Sequence, residues 1–411
     1  MEVVVTCCAG LDVHQVSIVA CVNSTGRGGR SHKEIRTFGT MRDDLVALRE
    51  WLVQAGCTLV AMESTGVYWK PVHAALEDHF EVIVANAQHI KNVPGRKTDV
   101  KDCAWISDLT RHGLIAPGFV PPRDIRDLRD LSRYRRKLKD TQAGERNRLI
   151  KVLETAGIKL AGVASDVFGV SGRAMIRALI EGNATPEAMA RLARGKLRAR
   201  QADLARALDT PLGAHQRFML RTQLERIEQA EADLERVDAT LVTMVAPYER
   251  QMRLLMSIPG VDWVIAVIII AEIGVDMSVF ASAAHLVSWA GLCPGSHVSA
   301  GKTRGGKTRK GNVFLKTALI TAAITGPRRA GISYLAEKSR RLTARRGRMR
   351  AAVAIAHKLL VAIWHMLSDG TFYQDLGADY LDRVDRARTA KHLVRRLDHL
   401  GFDVQLTEKA A

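Results

Sequence analysis

The first 120 residues alternate short apolar runs with stretches in which apolar residues follow helical spacing. Continuous or period-two apolar runs predict strands, and apolar residues three and four apart predict helices. The predicted strands are residues 3–12, 15–22, 34–38, 58–62 and 81–85, and the predicted helices are residues 42–54 and 67–78. Prolines at positions 117, 121 and 122 then predict a boundary near residue 120.

The order of these elements indicates a fold. Three strands come first, and helices alternate with strands after them, which is typical of an RNase H-like α/β domain. We therefore predict such a domain over residues 1–120.

Residues 121–250 are strongly charged and helical in pattern. Apolar side chains recur there at steps of three, four and seven residues, which is a heptad seam. Its members are Leu220, Leu224, Ile227, Leu234 and Leu241. Glu231 and Asp238 hold the positions that would complete it. The seam supports two interpretations equally: a helical-hairpin arm or dimerising coiled coil, or an amphipathic helix packed on its own domain.

A mostly helical C-terminal domain is predicted over residues 251–370, followed by a helical tail over residues 371–411. Its most apolar run, residues 263–271, is far shorter than the roughly 20 residues that span a bilayer. We predict a buried core helix there and no membrane association. The predicted fold class of the chain is thus α/β plus α: an RNase H-like domain, a coiled-coil arm and a mostly helical C-terminal domain.

Positive charge dominates the composition. The 411 residues include 61 Lys and Arg against 43 Asp and Glu, a formal net charge of +18. Because 47% of the residues are hydrophobic, the chain is able to bury cores and is not a disordered basic tail. A folded protein with this charge favours a polyanionic partner, and nucleic acid is the leading candidate.

The six cysteines form no CxxC pair and no zinc-finger spacing with histidine. Small core residues in a reducing compartment are their expected role. The N-terminus also lacks the pattern of an export signal. We therefore expect a cytoplasmic protein.

Four carboxylates stand at positions suited to a metal site. Asp12 and Glu63 end predicted strands, while Asp99 and Asp102 are three residues apart, so that a helix would place both on one face. Carboxylates that close repel one another unless cations neutralise them, and hard oxygen ligands select Mg²⁺ or Mn²⁺. Two such ions would clamp the attacking and leaving oxygens of a phosphodiester. Each acid alone is more typical of a turn or helix cap; together, on this strand order, they favour the metal site.

The segment around residues 291–319 is the most unusual in the chain. Five cations fall within nine positions, among glycines that let a backbone approach phosphates closely. They are Lys302, Arg304, Lys307, Arg309 and Lys310. We predict that this segment binds a nucleic-acid backbone; a solvated basic loop is the alternative. Ser299 beside these cations is a candidate nucleophile for a phosphodiester, although most serines in glycine-rich loops do no chemistry.

Two further features are candidates for backbone contact. The sequence IPGV at residues 258–261 is similar to a helix-hairpin-helix turn that binds a phosphate, or is an ordinary helix N-terminus with a nearby proline. Residues 328–350 include nine Lys or Arg and are compatible with a helix face lying along a nucleic-acid backbone.

Four segments together resemble the transposases of the IS110 family, which includes the Piv-type invertases. They are MESTGVYWKPV, KTDVKDCAWISDL, SIPGVDWVIAVIIIAEIG and the stretch from SAGK to RKGN. The resemblance covers nearly the whole chain in the same order and implies a RuvC-like first domain. Its DEDD carboxylate set falls on Asp12, Glu63, Asp99 and Asp102. It also implies a nucleophilic serine in the second domain, for which Ser299 is the best match and Ser296 the alternative.

The same resemblance implies partners that no residue pattern reveals. These are donor and target DNA and a structured bridge RNA that pairs with both. It further implies a homodimer or a dimer of dimers in the bacterial cytoplasm, in which the carboxylates of one protomer act with the serine of another.

Three functions follow from these observations as hypotheses. The first is a Mg²⁺-dependent, RNA-guided transposase with a covalent serine–DNA intermediate. The second is a metal-dependent, structure-specific nuclease similar to Holliday-junction resolvases, in which water attacks the phosphodiester. The third is a nucleic-acid-binding protein without catalytic activity, against which the four-acid set argues.

The basic segment allows a first test. Replacing Arg309 and Lys310 by Gln is expected to reduce the slope of log K against log salt by about 2, because each lost phosphate contact releases about one counterion fewer. The measurement is nucleic-acid affinity at several salt concentrations. An unchanged slope would show that the segment faces solvent.

Overall fold

The computed structural model describes residues 2–26, 30–87, 90, 93, 102–295, 298–299, 302–303, 308–329 and 331–407, with 298–299 and 302–303 described by their backbone. The chain divides into two compact units, Met1–Val120 and Pro121–Ala411.

The first unit is built on a five-stranded mixed sheet in the order β3-β2-β1-β4-β5. The strands are β1 Cys7–Val13, β2 Ile18–Thr25, β3 Ser31–Phe38, β4 Leu59–Glu63 and β5 Glu81–Ala85. Neighbours among β1, β2 and β3 pair antiparallel, β4 runs parallel to β1, and β5 runs parallel to β4. The described helices of this unit are α1 Arg42–Gln54, α2 Trp69–Leu76 and α3 Asp102–Arg111. This arrangement is consistent with an RNase H-like domain.

Side-chain alternation along β1 separates two layers. Ala9, Leu11 and Val13 face a core that includes residues of α1 and α2. Gly10 and Asp12 face the other side of the sheet, where α3 packs on Gly10. Because β1 is covered on both faces, its apolar run is nearly continuous.

The second unit is predominantly helical over the residues described. Its helices are α4 Arg123–Thr155, α5 Leu160–Val163, α6 Val170–Glu181, α7 Pro186–Ala190, α8 Gln201–Leu208, α9 Ala214–Val245, α10 Glu249–Met256, α11 Trp263–Ile273, α12 Ala283–Trp289, α13 Val313–Arg329, α14 Tyr334–Arg346, α15 Arg348–Asp369, α16 Tyr380–Val384 and α17 Arg386–Asp398. Two short strands, β6 Val298–Ser299 and β7 Lys302–Thr303, pair antiparallel between α12 and α13. Turns of 3-10 helix cover Gly195–Arg200 and Ala246–Tyr248.

Helices α4 and α9 form a long antiparallel hairpin within the chain. The five seam residues of α9 are all buried. The two acids that interrupt the seam meet cations of the same unit: Asp238 accepts two hydrogen bonds from Arg135 of α4, and Glu231 accepts from Arg146 and Arg173. Burial opposes ionisation of Glu231, but the bonds from Arg173 and Arg146 outweigh it and hold its pKa below the ordinary value. The seam is therefore used inside this chain.

A separate hydrophobic core is formed largely by the segment that connects α4 to α9 in the sequence. Short helices α5 to α8 pack with the end of α4 and the first half of α9 around a cluster that includes Leu153, Met175, Ile176, Leu204 and Leu224. The apolar residues of this cluster hold the hairpin together at the end where α4 finishes and α9 begins.

Two apolar helices form the centre of the C-terminal part. Helix α11 is buried along most of its length, as predicted for residues 263–271. Helix α15 is long and apolar enough, by length and composition, to cross a membrane. It packs against α12, α13 and α14, and Ile355, Leu359 and Ile363 lie on its buried face, which is the packing of a core helix.

A buried carboxylate joins three helices of this unit. Glu272 of α11 has 1% of its side chain exposed, and its two oxygens accept hydrogen bonds from Arg133 of α4, both at 2.8 Å. Arg129 lies 3.4 Å from the same carboxylate and donates to the carbonyls of Ala271 and Glu272. Asn312, just before α13, donates to Glu272 at 2.6 Å. Burial lowers the pKa of Arg129 to about 10, whereas the bonds to Glu272 raise that of Arg133, so both stay charged at neutral pH.

Removing this carboxylate tests its role. Glu272→Gln leaves two arginines without their counter-charge in a buried site, so we expect the free energy of unfolding to fall by about 3 kcal/mol or more. Urea denaturation followed by circular dichroism measures it. Glu249→Gln is the control, because it breaks an exposed pair with Arg253 that contributes about 1 kcal/mol at most. Equal losses in the two variants would contradict the proposed role.

Candidate active site and nucleic-acid interface

Asp12 and Glu63 lie side by side at the carboxyl ends of neighbouring parallel strands. The last registered pair of β1 and β4 is Leu11 with Met62, so the next positions are Asp12 and Glu63. Parallel neighbours at the same register point to the same face and lie about 4.8 Å apart. Both residues are half-buried.

Helix α3 covers the same face and runs antiparallel to β1. Its C-terminal carbonyl, at Arg111, accepts from Val4 at 3.0 Å, while near its N-terminus the Cys103 carbonyl lies 2.3 Å from where a Cβ on Gly10 would be. Only a glycine permits this approach. Because α3 runs antiparallel to β1, the first residue of α3, Asp102, lies toward the end of β1 that carries Asp12.

The described carboxylates make local contacts. His14 Nε2 lies 3.1 Å from Asp12 Oδ2, and the Thr65 hydroxyl donates to Glu63. Asp102 is exposed. Asp99 lies outside the described residues, so whether it shares a helix face with Asp102 stays a prediction.

The donor chemistry at this position fits a hard divalent cation, because carboxylate oxygens are the ligands such ions prefer. Among the residues described, no three His, Cys, Asp or Glu side chains are close enough to hold a metal ion. The pair formed by Asp12 and Glu63 is therefore the part of the candidate site that the register supports.

A neighbouring polar network fixes α3 on the sheet. Asp108 accepts from Asn23 at 3.0 Å and from Lys33 at 2.6 Å, and Arg111 donates to Asn23 and Thr25. Asp108 thus has an ordinary ion-pair role with Lys33. Sequence analysis did not single out these residues, because their partners lie 75 to 88 positions away in the chain.

The cysteines of this unit are core residues. Cys8, Cys21 and Cys103 are fully buried thiols. Burial raises the pKa of Cys8 to about 12 and also raises that of Cys21, so neither thiol is a ready nucleophile.

In the second unit, Ser299 lies in a loop whose two ends meet. A Cβ on Gly311 would lie 2.4 Å from the backbone nitrogen of Gly291. The backbone at the end of the loop is therefore in close contact with the backbone at its beginning. A bridge between Pro294 and Thr308 continues the pairing into the loop. Further along, β6 and β7 place Ser299 opposite Lys302.

Two contacts secure the foot of this loop. Lys316 of α13 donates to the Gly291 carbonyl at 3.0 Å and to the Thr308 hydroxyl at 2.7 Å. Asn312 caps α13 by accepting from the Leu315 amide while it donates to Glu272. Glu272 is a residue that sequence reasoning missed; the signal was an acid inside an otherwise apolar helix.

The basic loop is described only in part. Arg309 and Lys310 are exposed, and neither forms an ion pair within the part of the chain that the structure describes. Lys302 is placed by its backbone, opposite Ser299. Arg304 and Lys307, like the alternative nucleophile Ser296, lie outside the described residues.

The IPGV segment forms the turn between α10 and α11. Asp262, directly after it, caps α11 by accepting from the Ile265 amide at 2.9 Å. This carboxylate occupies the helix N-terminus and would repel a phosphate, so the structure favours the ordinary capped helix.

Comparison with known proteins identifies the family. A DEDD-type IS110 model described as a transposase matches residues 9–158, and a model described as a transposase of the IS116/IS110/IS902 family matches residues 252–338. Together the matches cover more than half of the chain. The chain belongs to the IS110 family of transposases, which confirms the prediction of a transposase. The DEDD type suggests dependence on a divalent metal.

Two individual relatives agree. The transposase for insertion sequence element IS1111A of Coxiella burnetii is 31% identical over 163 residues, which cover 38% of this chain and 42% of that protein. The uncharacterized 42 kDa protein of insertion element IS900 of Mycobacterium paratuberculosis is 27% identical over 327 residues, which cover 71% of this chain and 80% of that protein. The first alignment thus spans less than half of its relative.

Metal binding tests the carboxylate pair. Asp12→Asn or Glu63→Gln is expected to weaken Mn²⁺ binding, measured by isothermal titration calorimetry, by about tenfold or more, because even indirect partners of a metal contribute 10- to 100-fold. Asp43→Asn, on the exposed first turn of α1, is the matched control. Unchanged affinity in all three variants would remove the pair from the metal site.

Proposed function

We propose that this protein is an insertion-sequence transposase that cuts and rejoins DNA strands, with Mg²⁺ held by Asp12, Glu63, Asp99 and Asp102 and with Ser299 as the nucleophile. Membership of the IS110 family supports the reaction class. Mn²⁺ has the same ligand chemistry and is expected to substitute.

The register of β1 and β4 is the observation that carries the proposal. It brings Asp12 and Glu63, which are 51 positions apart in the sequence, to adjacent positions on one face, and α3 begins over that face with Asp102. A bound divalent cation would neutralise these carboxylates and polarise the scissile phosphate.

Ser299 would conserve the phosphodiester bond during strand exchange. Its Oγ forms a bond to phosphorus as the bond from phosphorus to one sugar oxygen breaks; the serine proton passes to water and the departing oxygen takes up a proton. A sugar hydroxyl from another strand then attacks the phosphoserine and restores Ser299. The nearby cations stabilise charge that develops on phosphorus.

The partners in this proposal are donor and target DNA, a bridge RNA and further copies of the chain. The net charge of +18 supports a nucleic-acid partner. Bridge-RNA guidance and the homodimer or dimer of dimers rest on the family resemblance.

A trapping experiment tests the nucleophile. Wild-type protein is incubated with Mg²⁺ and DNA that carries the insertion-sequence ends, and covalent protein–DNA adducts are resolved on denaturing gels. We expect Ser299→Ala to abolish the adduct, because it removes the hydroxyl that is proposed to attack phosphorus, and Asp12→Asn to suppress both adduct and strand cleavage.

Ser296→Ala is the matched control and should retain the adduct. An adduct that persists in Ser299→Ala but disappears in Ser296→Ala would transfer the role to Ser296. Full cleavage by Ser299→Ala without any adduct would instead indicate the alternative function, a structure-specific nuclease in which water attacks.

A further inference from the structure

A cationic groove opens beside the foot of the Ser299 loop. One wall is Leu292, Pro294 and Thr308, and the other is formed by α14 and α15. Its volume is about 1160 Å³, above the roughly 300–1000 Å³ of small-molecule pockets. The size suits a segment of a polymer better than a metabolite.

Both apolar and cationic side chains line the groove. Leu342, Met349, Val353 and Ala354 supply an apolar lining, while four cations are distributed around it: Lys338, Arg346, Arg350 and Lys358. Among the described residues that line it there is no Asp or Glu. This combination fits a chain of phosphates whose sugars or bases cover the apolar surface.

The cations in and beside the groove differ in whether they form ion pairs. On the neighbouring part of α14, Arg340 and Arg341 pair with Glu337, and Arg341 also pairs with Asp382. Arg346 and Arg350 are exposed and form no ion pair within the described part of the chain. Their charge is therefore available to a ligand.

His357 links the groove to the Ser299 loop. Burial, with smaller contributions from Lys358 and Lys338, lowers its pKa, although a hydrogen bond to the backbone of Leu292 acts in the opposite direction. The ring is neutral at physiological pH and ties α15 to the residue where the loop begins.

We propose that this groove binds an unpaired nucleic-acid strand and leads it to the foot of the Ser299 loop. The inference deepens the proposed function and rests on it. Phosphates contact Arg346 and Arg350, and the apolar lining packs against sugars and unstacked bases, which a duplex would keep paired inside. DNA and RNA share this chemistry, so the strand's source is decided by measurement.

Fluorescence anisotropy tests the groove with the full chain, in EDTA so that no strand transfer occurs. The probes are labelled oligothymidylate and oligouridylate of about 20 nucleotides and a DNA duplex of the same length. We expect Arg346→Gln/Arg350→Gln to weaken single-strand binding about 10- to 100-fold at 0.1 M salt, as the loss of two phosphate contacts predicts. Ala354→Leu, which fills the lining without a change in charge, should also weaken it.

The control is Arg345→Gln/Arg348→Gln, which removes the same charge from adjacent positions that do not line the groove. Equal losses in both double variants, an unaffected Ala354→Leu protein, or a stronger effect on duplex than on single strands would overturn the proposal. A larger effect on one oligonucleotide identifies the source as DNA or RNA. If none of the probes binds even the wild type, the proposed function itself fails; if all variants bind like wild type, only the groove does.

Discussion

The buried carboxylate of Glu272 is the contact on which the second unit depends most. An isolated charge in that position would be strongly destabilising, so α4 must lie where Arg129 and Arg133 reach it, and α13 must begin where Asn312 does. The basic loop ends directly before Asn312. The ion pair between Glu272 and the arginines of α4, together with the hydrogen bond from Asn312, therefore connects the long hairpin to the segment that presents Ser299. Contacts with helices on both sides fix the position of the loop.

Positive charge in this protein belongs to two populations. Along the hairpin, arginines such as Arg135 and Arg146 meet acids of α9, and their charge stabilises the fold. Around the Ser299 loop, Arg309, Lys310 and Arg346 have no acid close by in the described residues. Cations of this second group lie where a phosphate backbone could contact them, and under the proposed function they should contribute to a salt-dependent affinity.

Local patterns predicted local structure well. Helix 42–54 and strand 81–85 have the predicted bounds because amphipathic spacing and flanking turn residues act over a few positions. Strand β1 starts at Cys7 rather than residue 3, because the Val4 and Val5 amides bond to Arg111, and this partner is over 100 residues away. The succession of elements along the first unit, three strands and then alternating helices and strands, was predicted, and so was the position of Asp12 and Glu63 on strands. The acid within α11 and the cations of residues 328–350 are visible in the sequence, but their partners are not, because the arginines that meet Glu272 and the residues that complete the groove come from distant segments.

The close backbone contact between Gly291 and Gly311 makes the intervening loop a self-contained structural unit. Because the two ends are held against each other by backbone contacts, the length and composition of the loop have little influence on the helices beneath it, and doubling its length would cost only about 0.6 kcal/mol in closure entropy. The loop can therefore differ in length and sequence between related proteins while the helical scaffold stays the same. Under the proposed function, exchanging this one loop would change the nucleic acid that the protein engages without rebuilding the helices beneath it.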